Sequence, residues 1–426
     1  MDHAVSPAAR LAGEVWVPGD KSVSHRALML GAMASGTSRI SGSARGQDVT
    51  TTAACVRALG ASVLQEGDEI EVEGTGWKIG GDNHLDAGNS GTTMRLLAGA
   101  VAGRPGRFRF TGDASLSRRP MDRVAAPLRL MGAGVDLTEG RFPPMTVTGS
   151  ALHGLRYELP VASAQVKGAV LLAALQAEGD TEVLEASPSR DHTERMLGWL
   201  GIVLDRTAGR VALAGAPALP LPSFDLRVPG DFSSAAFWIV AACLCEGSAV
   251  IVRNAGLNPT RTGLLTVLEA MGARIEADEG PAADPEPVGV VTARSSMLQA
   301  AEVGGDVVPA LIDELPLVAL AATQAEGTTT IRDAGELRVK ESDRIASLAQ
   351  GLRTLGASVE ETPDGMVVRG PTRLRGGSVD SLGDHRLAMT FAVAGLIAEE
   401  PVTVAGWESI AISYPGFEDD LKALAR

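Results

Sequence analysis

Apolar and polar positions along the chain follow a pattern that occurs six times. Each copy has an Ala/Leu-rich run of helical length, then a small residue, then a Thr/Val/Ile-rich segment typical of a strand. The copies are ALMLGAMASGTSRI, RLLAGAVAGRPGRFRF, AVLLAALQAEGDTEV, FWIVAACLCEGSAVIV, LVALAATQAEGTTTI and LAMTFAVAGLIAEEPVTV. Because the chain has 426 residues, six copies correspond to a period of 426/6 = 71 residues. The pattern predicts a repetitive α/β fold whose helices are apolar and buried.

A second motif, Leu or Met followed by Gly and then Ala or Ile, lies between these copies. It marks the end of a second helix, because Gly is common just past a helix C-terminus, and a hairpin-like segment such as 62–74 follows it. The motif occurs at residues 59–61, 131–133, 200–202, 271–273 and 355–357. Each repeat is therefore predicted as strand, helix, strand, helix, strand, strand, and six repeats indicate two domains of three.

Two proline-rich stretches bear on the domain organisation. Residues 216–223 (APALPLPS) lie near the middle of the chain and are the candidate linker just before the boundary between the two domains. Residues 280–287 lie inside a repeat and are predicted to form a surface insertion.

Composition narrows the class of protein. Lys plus Arg is 38 and Asp plus Glu is 52, so the net charge of 38 − 52 = −14 argues against nucleic acid or an anionic membrane as the main partner. Three cysteines cannot form a disulfide scaffold here, and no CxxC or HExxH motif indicates zinc. The N-terminus lacks the pattern of a targeting peptide, and the apolar stretches are too short to span a bilayer. We therefore expect a cytoplasmic protein without a bound metal.

Polar clusters precede the apolar helices in nearly every repeat. Free N–H groups at a helix start bind anions, although each cluster taken alone is at least as typical of a helix cap or of solvated surface charges. The clusters are residues 18–26, 86–95, 112–120, 162–167, 188–192, 311–316, 336–344 and 383–386. The cations that these clusters contribute are Lys21, Arg26, Arg119, Arg190, Lys340, Arg344 and Arg386. Because an acidic protein concentrates its cations at these positions, we predict a cleft that binds small, multiply charged anions.

Seven of these segments carry a resemblance to a known family. GDKSVSHRA, GNSGTTMR, GDASLSRRPM, ASAQVK, SRDHTE, LRVKESDR and GDHRLAM resemble the second subgroup of the 5-enolpyruvylshikimate-3-phosphate synthases, within the enolpyruvyl transferases. The resemblance extends from Pro18 to Pro415. It implies an inside-out α/β barrel fold of two domains, each with three βαβαββ repeats around buried helices. The expected domains are 1–19 with 231–426, and 20–230, with the active site in the cleft between them.

The resemblance also implies the reaction and the substrate contacts. The family transfers the enolpyruvyl group of phosphoenolpyruvate to the 5-hydroxyl of shikimate 3-phosphate and releases phosphate. The residues implied for shikimate 3-phosphate are Lys21, Ser22, Arg26, Ser163, Gln165, Arg190, Asp313 and Lys340. Those implied for phosphoenolpyruvate are Lys21, Gly91, Arg119, Gln165, Arg344 and Arg386. Lys21, with either Arg386 or His385, would stabilise the departing phosphate.

The same resemblance implies the acid–base chemistry. Asp313 would take the proton of the 5-hydroxyl, and Glu341 would protonate the methylene carbon of phosphoenolpyruvate. Glu341 must then be protonated when the substrates bind, so its surroundings should favour the neutral form. The reaction passes through a tetrahedral intermediate and implies no cofactor, no metal and a monomeric enzyme. How Asp313, Glu341, Lys21 and Lys340 divide the proton transfers stays open.

Some positions depart from the family pattern, and two other functions remain as alternatives. Ala164 and His192 stand where many members have Ser and Tyr, and Ile412 stands where some have a Lys that contacts phosphoenolpyruvate. One alternative is the enolpyruvyl transferase that acts on UDP-N-acetylglucosamine, which carries a Cys in the loop that here spans residues 113–120 and has none. The other is a non-catalytic anion-binding homologue, which would gain nothing from two acids in an anion site.

Overall fold

The computed structural model describes residues 1–215, 218–281 and 284–426, which form two compact units. Unit 1 is Met1–Pro18, Pro229–Pro281 and Pro287–Arg426, and unit 2 is Gly19–Val228 with Ala282–Glu286, of which 284–286 are described. The predicted boundaries differ from these by one residue near position 19 and by two near position 230. They also assigned 282–286 to the other domain. Each unit has its own hydrophobic core.

Short strands account for the sheets of both units. In chain order they are β1 Asp2–Val5, β2 Ala12–Trp16, β3 Ala34–Ser41, β4 Ser62–Glu66, β5 Glu69–Thr75, β6 Gly81–Asp86, β7 Gly106–Thr111, β8 Gly134–Thr138, β9 Phe142–Gly149, β10 Leu152–His153, β11 Arg156–Glu158, β12 Ala177–Glu178, β13 Thr181–Leu184, β14 Leu204–Thr207, β15 Arg210–Leu213, β16 Leu221–Pro222, β17 Asp225–Arg227, β18 Ala249–Gly256, β19 Arg274–Glu279, β20 Val288–Arg294, β21 Glu302–Val303, β22 Gly327–Ile331, β23 Ser358–Thr362, β24 Gly365–Gly370, β25 Gly377–Asp380 and β26 Val402–Ala405.

The helices alternate between a buried set and a set with one exposed face. In chain order they are α1 Lys21–Met33, α2 Gln47–Ala58, α3 Gly91–Val101, α4 Asp122–Leu130, α5 Ala164–Ala174, α6 His192–Trp199, α7 Phe232–Leu244, α8 Gly263–Ala270, α9 Val308–Leu311, α10 Leu315–Ala322, α11 Arg344–Thr354, α12 His385–Ile397 and α13 Phe417–Leu424. None of the helices in the described part of the chain combines the length and apolarity needed to cross a membrane.

The predicted repeat is clearest between β6 and β9. The sheet runs in the order β6–β7–β9–β8, with β6 and β7 parallel and the β8–β9 hairpin antiparallel to β7. The helix α3 connects the two parallel strands, as a crossover connection requires. In β9, Met145 and Val147 are buried and alternate with more exposed residues, so one face of the sheet covers the core and the other faces solvent.

The buried helices lie inside each unit, with the sheets outside. α1, α3 and α5 belong to the core of unit 2, and α7, α10 and α12 belong to that of unit 1. All eight residues of α10 are buried, which is why its pattern is apolar throughout and shows no polar face. This arrangement confirms the predicted inside-out fold with buried helices.

The Leu/Met-Gly motif ends the second helix of a repeat through a Schellman motif. After α2, Gly60 has a φ of +99°, its N–H donates to Arg57 O, and the N–H of Ala61 donates to Val56 O. An L-residue with a side chain would be strained at such a φ, which is why Gly recurs there. The equivalent glycines, all with positive φ, are Gly132, Gly201, Gly272 and Gly356.

In three repeats, an arginine near this helix end forms a further hydrogen bond to the strand that follows. The Nε of Arg57 donates to Val63 O at 3.1 Å, so the helix end is fastened to the strand that follows it. The same spacing occurs when Arg129 donates to Val135 O at 2.9 Å and Arg353 donates to Val359 O at 2.8 Å.

Two sequence predictions are wrong in detail, and a third falls partly outside the described residues. The last repeat has no closing hairpin: β26 pairs with β25 and with β1 from the start of the chain, and α13 follows instead. In the stretch 280–287, residues 282 and 283 lie outside the described residues. The described part is not simply a surface insertion, because Glu286 is buried and belongs to unit 2. In the stretch 216–223, Ala216 and Pro217 lie outside the described residues. The described part includes β16, which pairs with β3 in unit 2, and it lies shortly before the boundary after residue 228.

Candidate active site

In unit 2, the three buried helices each begin at a side-chain cap. Asp20 accepts a hydrogen bond from Val23 N at 2.9 Å, Ser90 accepts one from Thr93 N at 3.1 Å, and Ser163 accepts one from Val166 N at 3.4 Å. The caps explain why the clusters contain Asp and Ser. They leave Lys21, Gly91 and Gln165 in the first turns of α1, α3 and α5, where backbone N–H groups favour an anion.

The cations of α1 are held from neighbouring helices. Lys21 Nζ lies 3.0 Å from Asp48 Oδ2 on α2. Arg26 is buried, and it donates from Nε to Thr193 Oγ1 at 2.7 Å and from Nη1 to Ser22 O at 2.9 Å. Burial lowers the pKa of Arg26 to about 10, with nearby carboxylates opposing the shift. Arg26 therefore remains a cation at neutral pH.

Arg190 is electrostatically coupled to this group. The negative charge of Glu194 raises the pKa of Arg26, whereas the positive charge of Arg190 lowers it further. Arg190 lies two residues before His192, the first residue of α6, and close enough to Arg26 to affect its pKa. Ser163 also lies at the start of α5, where its hydroxyl serves as the helix cap.

Gly91 lies against two arginine side chains. A Cβ atom at this position would be 2.9 Å from Arg95 Nη1 and 3.7 Å from Arg119 Nη1. Arg95 donates to Gln165 Oε1 at 2.6 Å, which joins α3 to α5. Arg119 donates from Nη2 to Asn89 Oδ1 at 2.8 Å, so the loop after β7 reaches the residues just before α3. Lack of a side chain at Gly91 therefore keeps room in front of these guanidinium groups.

In unit 1, one carboxylate lies among three cations. Asp313 Oδ1 is 3.2 Å from Arg344 Nη1 and 3.5 Å from Lys340 Nζ. Asp313 Oδ2 is 3.6 Å from Arg386 Nη2. Glu341 joins the group because its Oε2 accepts a hydrogen bond from Arg344 Nη2 at 2.6 Å. The structure thus brings together the five residues of unit 1 that the resemblance implied for substrate binding and acid–base chemistry, which are Asp313, Lys340, Glu341, Arg344 and Arg386.

Arg344 is the centre of this group, with only 1% of its side chain exposed. Its Nε donates to Asp384 Oδ2 at 2.7 Å, and Asp384 Oδ1 accepts from the N–H of Arg386 at 2.9 Å. Burial alone would lower the pKa of Arg344, but Asp384, Glu341 and Asp313 outweigh it and hold that pKa above its usual range. Burial would likewise raise the pKa of Asp384, but the charge of Arg344 holds it below the usual range. Both groups therefore stay charged.

A second buried network joins the helix starts of unit 1. Glu314, just before α10, lies 3.6 Å from Arg386 Nη1 and accepts a hydrogen bond from Ser233 Oγ on α7. Arg261 Nη2 donates to Ser233 Oγ at 2.6 Å. α7, α10 and α12 are thus linked at the ends where the polar clusters lie.

Sequence reasoning did not assign several of these residues. Arg95 and Asp384 stand inside motifs that carried the resemblance, and Glu314 stands in the polar cluster 311–316, but their roles depend on burial and on partners distant in sequence. A charged residue at the start of an otherwise apolar helix was the available signal. Among the described residues, no group of three or more His, Cys, Asp or Glu side chains could hold a metal ion.

Comparison with curated proteins identifies related sequences over almost the full chain. The family model described as EPSP synthase (3-phosphoshikimate 1-carboxyvinyltransferase) matches residues 5–421. The 3-phosphoshikimate 1-carboxyvinyltransferase of Bacillus velezensis is 48% identical over 420 residues, which cover 98% of each chain. That of Desulforudis audaxviator is 48% identical over 428 residues, covering 100% of this chain and 99% of the relative.

Comparison with solved structures agrees with these sequence matches. An EPSP synthase from Acinetobacter baumannii superimposes with a TM-score of 0.88 at 41% identity, covering 100% of this chain and 98% of that chain. The enolpyruvyl transferase NikO from Streptomyces tendae has a TM-score of 0.81 at 20% identity, covering 99% and 96% of the two chains, and shares the fold alone. With its motifs, repeats and buried helix-start clusters, this chain belongs to the EPSP synthase (3-phosphoshikimate 1-carboxyvinyltransferase) family.

Proposed function

We propose that this chain transfers the enolpyruvyl group of phosphoenolpyruvate to the 5-hydroxyl of shikimate 3-phosphate, giving 5-enolpyruvylshikimate 3-phosphate and phosphate. This is a step of the shikimate pathway towards chorismate and the aromatic amino acids. The observation that carries the proposal is the carboxylate of Asp313 among Lys340, Arg344 and Arg386, with Glu341 on the same arginine. A base, an acid and cations are what this addition–elimination requires.

The charge of the substrates supports this assignment. Two phosphates and two carboxylates bring roughly six negative charges into one site. Two unit charges about 4 Å apart interact by about 4 kcal/mol at an effective dielectric constant near 20, so the site needs several cations. Candidate cations in unit 1 are Lys340, Arg344 and Arg386, and those in unit 2 are Lys21, Arg26, Arg119 and Arg190.

Asp313 is suited to act as the base. Three positive groups within 3.2–3.6 Å of its oxygens favour the carboxylate form, which is the form that accepts a proton. The 5-hydroxyl oxygen then attacks C2 of phosphoenolpyruvate while its proton passes to Asp313. Lys340 and Asp313 would both contact shikimate 3-phosphate in this arrangement.

Glu341 is suited to act as the acid once phosphoenolpyruvate is bound. In the ligand-free site Arg344 donates to Glu341 at 2.6 Å, which favours the carboxylate form. If the carboxylate of phosphoenolpyruvate takes that position on Arg344, Glu341 loses its cation and more readily holds a proton. Glu341 would then protonate the methylene carbon of phosphoenolpyruvate. When phosphate leaves the tetrahedral intermediate, the methyl group formed in this way would return a proton to Glu341.

Unit 2 would bind the phosphate groups. Arg26 and Arg190 are coupled electrostatically near the start of α6, and they fit the phosphate of shikimate 3-phosphate, with Ser22, Ser163 and Gln165 as its further contacts. Lys21, Gly91 and Arg119 fit phosphoenolpyruvate, with Lys21 and Arg386 stabilising the phosphate that leaves. We also infer that the two units are the two domains of the family and that their residues act on one pair of substrates.

The proposal includes a monomer that acts in the cytoplasm and binds small molecules rather than nucleic acid. The acidic net charge of −14 supports the last point. The relatives named above do not favour UDP-N-acetylglucosamine as the acceptor, because they are named for 3-phosphoshikimate. Light scattering during gel filtration would test the oligomeric state, and a mass of twice 43.9 kDa would contradict a monomer.

A phosphate-release assay tests the reaction directly. With both substrates present we expect phosphate release, and we expect none without shikimate 3-phosphate or when UDP-N-acetylglucosamine replaces it. Lys21→Ala should abolish turnover, whereas Lys78→Ala, at an exposed lysine of the same unit, should leave it unchanged. Release without shikimate 3-phosphate, or normal kcat in Lys21→Ala, would contradict the assignment.

A further inference from the structure

A continuous line of buried hydrogen bonds joins α1, α2 and α3 in unit 2. His25 Nδ1 and Thr52 Oγ1 are 2.6 Å apart, Thr52 Oγ1 and Thr93 Oγ1 are 2.6 Å apart, and Thr93 Oγ1 donates to Ser90 Oγ at 2.7 Å. All four side chains are buried. The groups come from three different elements, and the line ends at the residue that caps α3.

The number of available protons determines which group donates in each of these hydrogen bonds. Thr93 donates its one hydroxyl proton to Ser90, so the proton in the 2.6 Å contact between the two threonines comes from Thr52. The other acceptor near the Thr52 hydroxyl, Asp48 O, is more distant at 3.4 Å. Thr52 Oγ1 can therefore only accept from His25, which places the imidazole proton on Nδ1. Two observations agree: His25 Nε2 has no hydrogen-bond partner among the described residues, and burial lowers the pKa of His25 to about 3. The imidazole is neutral, and its unprotonated nitrogen is the one left without a partner.

This line of hydrogen bonds lies beside a contact made by Lys21, which is proposed to bind both substrates. Lys21 precedes His25 by four residues on α1, and Asp48 precedes Thr52 by four residues on α2, so each pair lies one helical turn apart. Lys21 Nζ contacts Asp48 Oδ2 at 3.0 Å. The contact between His25 and Thr52 is thus a second link between α1 and α2, one turn further from the helix starts and made of neutral groups.

The other end of the line sets the position of Gly91. Ser90 Oγ accepts from both the N–H and the hydroxyl of Thr93, and Gly91 is the first residue of α3. The space at Gly91 is limited by Arg95 and Arg119, whose nitrogens would be 2.9 and 3.7 Å from a Cβ atom there. A small displacement of the start of α3 would therefore change the geometry that Gly91 and these guanidinium groups offer to an anion.

We propose that His25, Thr52 and Thr93 are positioning residues that hold the start of α3 against α1 and thereby set the affinity for phosphoenolpyruvate. The inference rests on the proposed function, which assigns Gly91 and Arg119 to phosphoenolpyruvate. Six of the eight contacts expected for shikimate 3-phosphate lie on α1 or α5 or just before α5 or α6, so they depend less on where α3 begins. Because the network is neutral, it joins the helices without adding a charge that would attract or repel the substrates.

Thr52→Val tests the network, because valine keeps the shape of threonine and removes the hydroxyl. We expect the KM for phosphoenolpyruvate to rise about ten-fold, with kcat and the KM for shikimate 3-phosphate within about two-fold of wild type. Thr52→Ser restores a hydroxyl and should return the KM to within about two-fold. Thr50→Val, at an exposed position of the same helix, is the matched control.

A second pair of variants keeps the test decisive if Thr52→Val does not fold. His25→Asn places an amide N–H where Nδ1–H lies, whereas His25→Gln moves it one carbon further along the side chain. We expect the KM for phosphoenolpyruvate to stay near wild type in His25→Asn and to rise in His25→Gln. Equal values in the two variants would overturn the proposal.

The outcomes separate this inference from the proposed function. A wild-type enzyme that releases no phosphate from the two substrates contradicts the function itself. Active wild type with unchanged KM in Thr52→Val overturns only the positioning role. A lower melting temperature with unchanged KM, or an equal rise in the KM of both substrates, overturns it as well, since a purely structural role predicts those results.

Discussion

The ammonium group of Lys167 lies 2.7 Å from Oε1 of Glu185, and only 3% of the lysine side chain is exposed. Lys167 also contacts Glu194 Oε1 at 2.8 Å and donates to Ser189 O at 3.2 Å. Glu185 Oε2 accepts from the N–H of Ser189 at 3.1 Å. The loop that leads to Arg190 is therefore fastened to α5 by one buried lysine and two carboxylates.

Replacing that lysine should be costly. Lys167→Met keeps the length of the side chain but leaves Glu185 and Glu194 without their shared cation, so we expect a loss of about 3–5 kcal/mol in the free energy of unfolding. Urea unfolding followed by circular dichroism would measure it. Lys78→Met, at an exposed site, should change stability by less than about 0.5 kcal/mol. A small effect in Lys167→Met would mean that the loop holds without this cluster.

His25 should make stability depend on pH. Burial lowers its pKa to about 3 in the folded chain, with the charges of Lys21 and Arg26 lowering it and that of Asp48 opposing them. The unfolded chain takes up a proton near pH 6.5 and the folded chain does not, so this contribution is complete above pH 6.5. It is lost as the pH falls from about 6.5 towards 3, at about 1.4 kcal/mol per pH unit.

The His25→Asn variant isolates that contribution. Between pH 7.5 and 5.5, the wild type should lose about 1.4 kcal/mol more of its free energy of unfolding than the variant. His84→Asn, at an exposed histidine, should follow the wild type. Identical pH profiles for wild type and His25→Asn would show that His25 is not buried in its neutral form.

Removing the carboxylate of Asp313 should affect chemistry more than binding. In Asp313→Ala the three cations around it remain, so shikimate 3-phosphate should still bind, while turnover falls by about 100-fold or more. Isothermal titration and steady-state kinetics on the same preparation would measure both. Unchanged turnover would remove Asp313 from the role of base.

Two glycines of α3 should respond differently to alanine. In Gly91→Ala the added Cβ meets the flexible end of Arg95 at 2.9 Å, so stability should stay within about 1 kcal/mol while the KM for phosphoenolpyruvate rises. In Gly99→Ala the added Cβ would lie 2.0 Å from Ala169 O, a backbone atom of α5, so the loss should exceed about 2 kcal/mol. Equal melting temperatures for the two variants would contradict this distinction.

The helices were predictable because their evidence is local. The apolar run of α5 follows a Ser163 cap, and the glycine of the Leu/Met-Gly motif ends α2 by its positive φ. The sheet of the last repeat was not predictable, because β26 pairs with β1, about 400 residues away in sequence. No local pattern marks such a pairing.

In the candidate site, too, some features could be predicted from local sequence and others could not. Asp313, Lys340, Glu341 and Arg344 could be selected because they stand in recognisable motifs. That Arg344 is fully buried and bound to Asp384 depends on how α11 and α12 pack, which spacing alone does not determine. The partner of His192 was missed for a related reason, because Glu286 lies 94 residues away in a stretch that looked like a surface insertion.

The pairing of β17 with β3 bears on where the chain could be divided into separately expressed fragments. Residues 19–228 carry all the strands of their own sheets, including the parallel partner of β3 at Asp225–Arg227. Residues 229–426 do not, because β18 and β26 pair with β2 and β1 from the first 18 residues. A polypeptide cut at 228 would thus leave its C-terminal fragment with two bare sheet edges, prone to self-association, unless Met1–Pro18 were grafted onto it.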